Sequence, residues 1–383
     1  MKGLFVSYRG FLAEGRGGGV QVCTREYVDV IRAAGFDLAL VPFESDRRLS
    51  TRLLRRWTSS PYFRPAPPSL LQELERRAVE DAPDVVFLNQ VALASLAPRI
   101  RQVMPHARIV VLSHGLESTD LLHLIRLRPR LPLSGRLRPT PRLALGTVLL
   151  EESRNRQDVD LVCTLSPFDA ELEGWMGARS VRFLPRTCRP DPLAWAPTGD
   201  RVGYLGTLDH GPNLEGLVDA LDALEGAAPT SLRVRVVGGP PRLGRWLSSR
   251  YARVDYLGEL DDEATRAEAA TWSAFLHPIF CHARGCSTKL ATAIAWQLPV
   301  VTTTQGHRGY VWSDGSLAVR DDPAGFAAAT LDLVRGGAEA ARAGVVRVAG
   351  SSPTVPDVAG ELRAALQGIG LVGPGGTSGT AVL

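Results

Sequence analysis

Short apolar runs alternate with longer amphipathic ones along most of this chain, and that rhythm narrows the fold to few choices. In the first half "LFVSY" (4–8), "DLALVPF" (37–43), "DVVFLNQ" (84–90), "RIVVLSHG" (108–115) and "DLVCTLS" (160–166) read as buried strands. Helical segments fall between them at 20–34, 68–80, 91–102, 143–157 and 167–176. Strands this short and apolar, each followed by a helix, imply an α/β fold with parallel sheets covered on both faces. The proline-rich "RPDPLAWAPTGD" (189–200) breaks the rhythm, which then restarts. Strands are predicted at 202–208, 232–239, 254–260, 274–280 and 299–304, with helices near 213–224, 261–272, 288–297, 322–335 and 356–367.

The predicted organisation is a Rossmann-like domain over 1–190, a linker over 191–200, and a second Rossmann-like domain over 201–367. The last helix of the second domain can cross back to the first. The glycine-rich, weakly charged end, 368–383, is predicted to be a disordered tail. Two doubly wound domains joined once place a cleft between the carboxyl ends of their sheets, where such folds bind ligands. A length of 383 residues suits two domains. A net charge of +4 gives no reason to expect nucleic acid as a partner.

No apolar run is long enough to span a membrane, and "GLFVSY" enters a strand without the order of a secretory signal. The five cysteines, Cys23, Cys163, Cys188, Cys281 and Cys286, are few and scattered, which predicts reduced thiols in a cytoplasmic protein. Cys281, His282 and Cys286 lack a fourth ligand at a familiar spacing, so no metal site is predicted there.

Chemistry is expected in the loops that follow strands. Of 44 lysines and arginines only Lys2 and Lys289 are lysine, a bias that suggests a GC-rich bacterial genome. Lys289 lies in "GCSTKLATAIAWQLPVV" (285–301), where Ser287 suits a helix N-cap and Thr288 and Lys289 its first turn. An ammonium there opposes the helix dipole unless an anion lies between it and the helix amides. A compact ammonium fits a tight phosphate pocket that a planar guanidinium does not. "YLGTLDHGPNLEGL" (204–217) supplies Gly206 for close backbone approach and Thr207 for a hydroxyl and an amide. "GRGGGVQ" (15–21) places Gly18 and Gly19 after the first strand, without the G-x-G-x-x-G spacing of a dinucleotide fingerprint. "SHGLESTD" (113–120) places His114 and Glu117 where they could orient hydroxyls or move protons. "RLRPRLPLSGRLRPTPR" (126–142) carries six arginines. It reads as an irregular basic loop, with a phosphorylated acceptor or peripheral contact with an anionic membrane surface as the alternatives.

In order, "YLGTLDHGPNLEGL", "VRVVGG", "VDYLGELDD" and "FLHPI…GCSTKLATAIAWQLPVVTTTQGHRGY" resemble the nucleotide-binding half of GT-B glycosyltransferases, the retaining family-4 group above all. "LLEESRNRQDVDLVCTLSPFDAELEGWMGARSVRFLPRTC" resembles that family's first half, and the likeness spans roughly residues 1–345. It implies a hexosyl-type transfer, with retention, from a nucleotide-diphosphate-sugar donor bound by the second domain (201–367) to a small-molecule, glycan or lipid-linked acceptor bound by the first (1–190). It implies no cofactor and no metal, because positive side chains and helix amides hold the leaving diphosphate. In this sequence Lys289 takes the basic position, and Arg284 stands close enough to assist. Ser287 stands where the family commonly has Arg, Thr292 where it has the ribose-binding Glu, and Gln297 where it has Gly. Thr292 is then expected near the ribose, and Gly306 of "TQGHRGY" near the sugar or phosphate. The alternatives are an inactive nucleotide-sugar-binding partner and a GT-B nucleotide-sugar epimerase.

Overall fold

The structure, a computed structural model, describes residues 1–13, 18–44, 66–127, 131–132 and 141–371. Most of the basic loop 126–142 and of the tail 368–383 lies outside them, as does the start of the glycine run at 15–17. Two six-stranded sheets form, and every pairing in both is parallel.

The first sheet contains β1 (Lys2–Tyr8), β2 (Asp37–Phe43), β3 (Val85–Asn89), β4 (Arg108–Leu112), β5 (Leu161–Thr164) and β6 (Val181–Phe183), in the order β2-β1-β3-β4-β5-β6. β3 is buried at every position, as its unbroken apolar run requires of a strand covered on both faces. The second sheet contains β7 (Arg201–Leu205), β8 (Arg233–Val237), β9 (Val254–Gly258), β10 (Ala274–His277), β11 (Val300–Thr302) and β12 (Ala318–Val319). Its order, β9-β8-β7-β10-β11-β12, is the 3-2-1-4-5-6 arrangement of a Rossmann sheet.

Adjacent residues on these strands serve opposite faces. Leu276 and Val301 pack with helices Gly211–Ala227 and Pro323–Asp332, while Phe275 and Val300 pack with helices Thr288–Ala295 and Ala338–Ser351. Trp272, wholly buried, anchors the second of these cores.

Six elements escape the sequence pattern, two of them the short helix Arg9–Leu12 and helix Glu117–Leu127. β6 and β12 are too short to carry a period. Helix Pro241–Arg250 is polar enough to read as a turn, although Leu243 and Leu247 bury one face. Helix Ala338–Ser351 follows helix Pro323–Asp332 through a widened turn at Leu333–Gly337, where the predicted helix 322–335 simply ends.

The chain divides into two compact units. The first is Met1–Ser118, Arg138–Pro185 and Thr354–Leu383; the second is Thr119–Leu137 and Arg186–Pro353. Helix Val355–Gly368 packs on helix Gly19–Ala33, and Arg363 Nη1 donates to the Ala33 carbonyl at 3.1 Å. The proline-rich stretch 189–200 runs along the second unit. Asp191 and Leu193 donate backbone hydrogen bonds to Ala295 and Trp296, and Trp195 Nε1 donates to the Trp272 carbonyl. None of the five cysteines forms a disulfide. Among the described residues no helix is long and apolar enough to cross a membrane.

Candidate functional site

In the second unit the strand order reverses between β7 and β10, so the loops after those two strands flank the switch point where doubly wound sheets bind ligands. The loop after β7 holds Gly206 at φ 152°. A Cβ there would lie 2.2 Å from Lys289 Cε, so only glycine lets the lysine side chain cross this backbone. Thr207 is exposed, and its carbonyl accepts from Asn213 Nδ2 at 2.9 Å.

The loop after β10 leads into helix Thr288–Ala295, with Ser287 at the N-cap. Lys289 is partly buried, and desolvation of its ammonium pushes its pKa down from 10.5 to about 7. Nζ donates to Tyr204 Oη at 3.1 Å and stands 5.1 Å from that ring's centroid. Among the described residues it makes no ion pair. A desolvated cation with no carboxylate at the start of a helix is an arrangement that an anion would complete.

Ser287 occupies the predicted cap position, but its side chain caps nothing. Its Oγ is held 2.7 Å from His277 Nε2, and His277 Nδ1 lies 2.9 Å from Thr302 Oγ1. Burial, and then the charges of Lys289 and Arg308, hold the His277 pKa well below its ordinary value, so the ring is neutral. Gly306 is buried against this pair; a Cβ would meet Thr302 Oγ1 at 2.5 Å and His277 Nδ1 at 2.8 Å. Its amide donates to Thr303 Oγ1 at 2.8 Å. Thr292 turns its hydroxyl onto its own helix, donating to the Thr288 carbonyl at 3.3 Å.

Arg284 is committed elsewhere. Its Nε is 2.9 Å from Asp120 Oδ2 and its amide donates to Asp120 Oδ1 at 3.3 Å, so its charge already has a carboxylate partner. His210 shares that aspartate at 3.3 Å. The cation expected to assist Lys289 is paired with Asp120 in this conformation.

Sequence reasoning passed over His277, Arg308 and Tyr310. Arg308 Nη2 donates to the carbonyl of Ala283 at 2.7 Å and also to that of Arg284, so it props up the loop before Lys289. Tyr310 Oη donates to the Ser287 carbonyl and accepts the Ala291 amide at 2.9 Å. "TQGHRGY" held both residues, but nothing local in it says that they reach back to another loop.

The first unit carries a second polar cluster, described by itself. Its sheet reverses between β1 and β3. Gly18 and Gly19 are exposed there, at the N-terminus of helix Gly19–Ala33. Asn89, at the end of β3, donates to Ser7 Oγ and Thr24 Oγ1, both at 2.9 Å. Its Oδ1 is thereby left to face His114 Nε2 at 2.9 Å, which places a proton on that nitrogen. His114 is buried beside Tyr27, with the rings edge to face at 5.5 Å. Glu117 is half-buried at the first position of helix Glu117–Leu127.

Residues 199–336 match the family model described as glycosyl transferases group 1. No curated protein matches the chain by sequence. Solved structures do. A sucrose-phosphate synthase from Thermosynechococcus elongatus is 16% identical with a TM-score of 0.59, covering 96% of each chain. The apo form of a lipopolysaccharide outer core galactosyltransferase is 14% identical, with a TM-score of 0.59 over 96% of this chain and 99% of that one. An Anabaena protein in complex with UDP and glucose is 13% identical, with a TM-score of 0.61 over 96% and 99%. Likeness at these identities is likeness of fold: the chain has the GT-B fold, built on two Rossmann-like units.

Proposed function

We propose that this chain is a glycosyltransferase that moves a sugar from a nucleotide-diphosphate donor to an acceptor hydroxyl, with retention and without a metal in the reaction. The observation that carries the reading is the enclosed ammonium of Lys289, lying over Gly206 at the start of helix Thr288–Ala295. It falls inside the stretch that matches group 1 glycosyl transferases. The Anabaena structure of the same fold holds UDP and glucose, which favours a nucleotide-sugar donor.

In this reading Lys289 and the first-turn amides of its helix neutralise the leaving diphosphate, where charge develops in the transition state. The backbone at Gly206 and Thr207 contacts the same group, and Thr292 lies beside the ribose once its hydroxyl leaves the Thr288 carbonyl. The first unit handles the acceptor, with His114 and Glu117 as its polar groups and Gly18 and Gly19 as its phosphate-approaching backbone. No nucleophile is required: the leaving phosphate oxygen accepts the proton of the incoming hydroxyl.

One observation favours the inactive-partner alternative: Thr292 brings no carboxylate, and its hydroxyl is spent on its own helix. Incubation with a panel of nucleotide sugars and acceptors separates the readings. Acceptor-dependent release of nucleoside diphosphate supports transfer. Binding without turnover supports the partner, and turnover without a glycosylated product supports the epimerase. Lys289→Arg is expected to lower kcat by about 10²–10³-fold, the usual loss when one transition-state donor is misplaced. Unchanged turnover in that variant removes the lysine from the mechanism.

A further inference from the structure

His123, Glu215 and Cys281 lie far apart in the sequence and take no part in the reaction proposed above. They stand on helix Glu117–Leu127, on helix Gly211–Ala227 and in the loop after β10, and all three belong to the second unit. An imidazole nitrogen, a carboxylate oxygen and Sγ from the three lie within 4.8 Å of one another. His123 is only 8% exposed, yet its Nδ1 has no hydrogen-bond partner. His123 hydrogen-bonds to the backbone of His282, and the Cys281 thiol to the Glu215 side chain.

An orphaned, buried imidazole nitrogen is costly unless something is meant to occupy it. A histidine that donates one N–H to a backbone carbonyl and presents the other nitrogen is oriented as metal-bound histidines are. We propose that His123 Nδ1, Glu215 and Cys281 Sγ bind one divalent ion of the zinc class, with water as the fourth ligand. Thiolate, imidazole and carboxylate together suit zinc, whereas magnesium and calcium take oxygen alone. Tetrahedral bonds of ~2.0–2.3 Å bring ligand atoms to roughly 3.5 Å of one another, so these three need close by only on the order of 1 Å. On binding, the Cys281 S–H bond breaks, its proton leaves to solvent, and the sulfur electron pair forms the metal–sulfur bond. The ion fastens helix Glu117–Leu127 to the loop that continues through Arg284 to Lys289. This proposal stands whether or not the chain transfers sugar.

The test uses full-length protein stripped with a chelator and titrated with Zn²⁺ and Co²⁺. One ion per chain is expected, with a cobalt complex that shows thiolate-to-metal charge transfer. Cys281→Ser should abolish that band. His123→Ala and Glu215→Gln should each weaken zinc binding by ~10-fold or more, while Cys286→Ser leaves it unchanged. Zinc should also raise the melting temperature of the wild type more than that of Glu215→Gln, which keeps the side-chain shape. No stoichiometric binding, or a charge-transfer band that survives Cys281→Ser, overturns the proposal.

Discussion

Lys289 ties stability to binding at a single side chain. Its pKa is lowered to about 7, whereas an unfolded lysine titrates near 10.5. Between those values the unfolded chain binds more protons than the folded one, so stability rises with pH across the window. The charging penalty is fully present below pH 7 and gone above 10.5. Lys289→Met should therefore melt higher than the wild type at pH 7 without ligand, and the gap should close as the pH is raised toward 10.5. The same variant should lose nucleoside diphosphate affinity by about 100-fold, as expected for a desolvated charged contact worth a few kcal/mol. Wild-type affinity should fall as the pH rises above about 7, because the free ammonium then loses its proton. Calorimetric binding across a pH series checks both. The oddity of one internal lysine was legible in the sequence; its desolvation was not, because Tyr204 reaches it from another strand.

At the scale of elements, the ends of helix Thr288–Ala295 show what local sequence can specify. Its C-terminus closes with Gln297 donating to the Ile294 carbonyl at 3.0 Å and Leu298 to that of Ala293 at 3.1 Å, a Schellman pattern. That pattern needs a left-handed residue, and Gln297 adopts it at φ 56°. The resemblance puts glycine at this position, and the backbone retains the geometry that glycine serves. Gln297→Gly should stabilise the protein by about 1 kcal/mol, read from chemical denaturation. Gly206→Ala should do the opposite. Its φ of 152° and the 2.2 Å approach to Lys289 Cε leave no room for a methyl group. A loss of roughly 1–3 kcal/mol is expected, with donor binding falling alongside as the lysine is displaced. The helix N-terminus was predictable as a position but not as a cap, since His277, at the end of β10 ten residues earlier, takes the Ser287 hydroxyl.

For the molecule as a whole, the first unit's polar loop rests on a buried ion pair. Arg156 and Glu173 are both fully buried at 2.7 Å, and Ser113 Oγ donates to the same carboxylate at 2.9 Å. Arg156 Nη1 donates to the Glu152 carbonyl at 2.7 Å, and the Ser118 amide donates to Glu152 Oε1 at 3.2 Å. Both ends of the segment that carries His114 and Glu117 are thus tied to helices from later in the chain. Arg156→Met leaves a buried carboxylate without its cation and should cost about 3–5 kcal/mol. Arg156→Met combined with Glu173→Leu should recover most of that loss, and equilibrium denaturation of the single and double variants measures both. A pair that is neutral for stability yet sets the geometry of a loop leaves no periodic trace in sequence.

The sequence by itself determined the alternation of strand and helix, the two sheets and the carboxyl-end loops that hold candidate chemistry. Those follow from burial, which writes a period of two or of 3.6 into adjacent residues. Only the tertiary structure decided which loop side chains meet: Arg284 with Asp120, Ser287 with His277, and Lys289 over Gly206. It also decided that His123, Glu215 and Cys281 share one place. Such meetings depend on how long loops fold back and on crossovers between strands, and a partner reached in either way has no local signature.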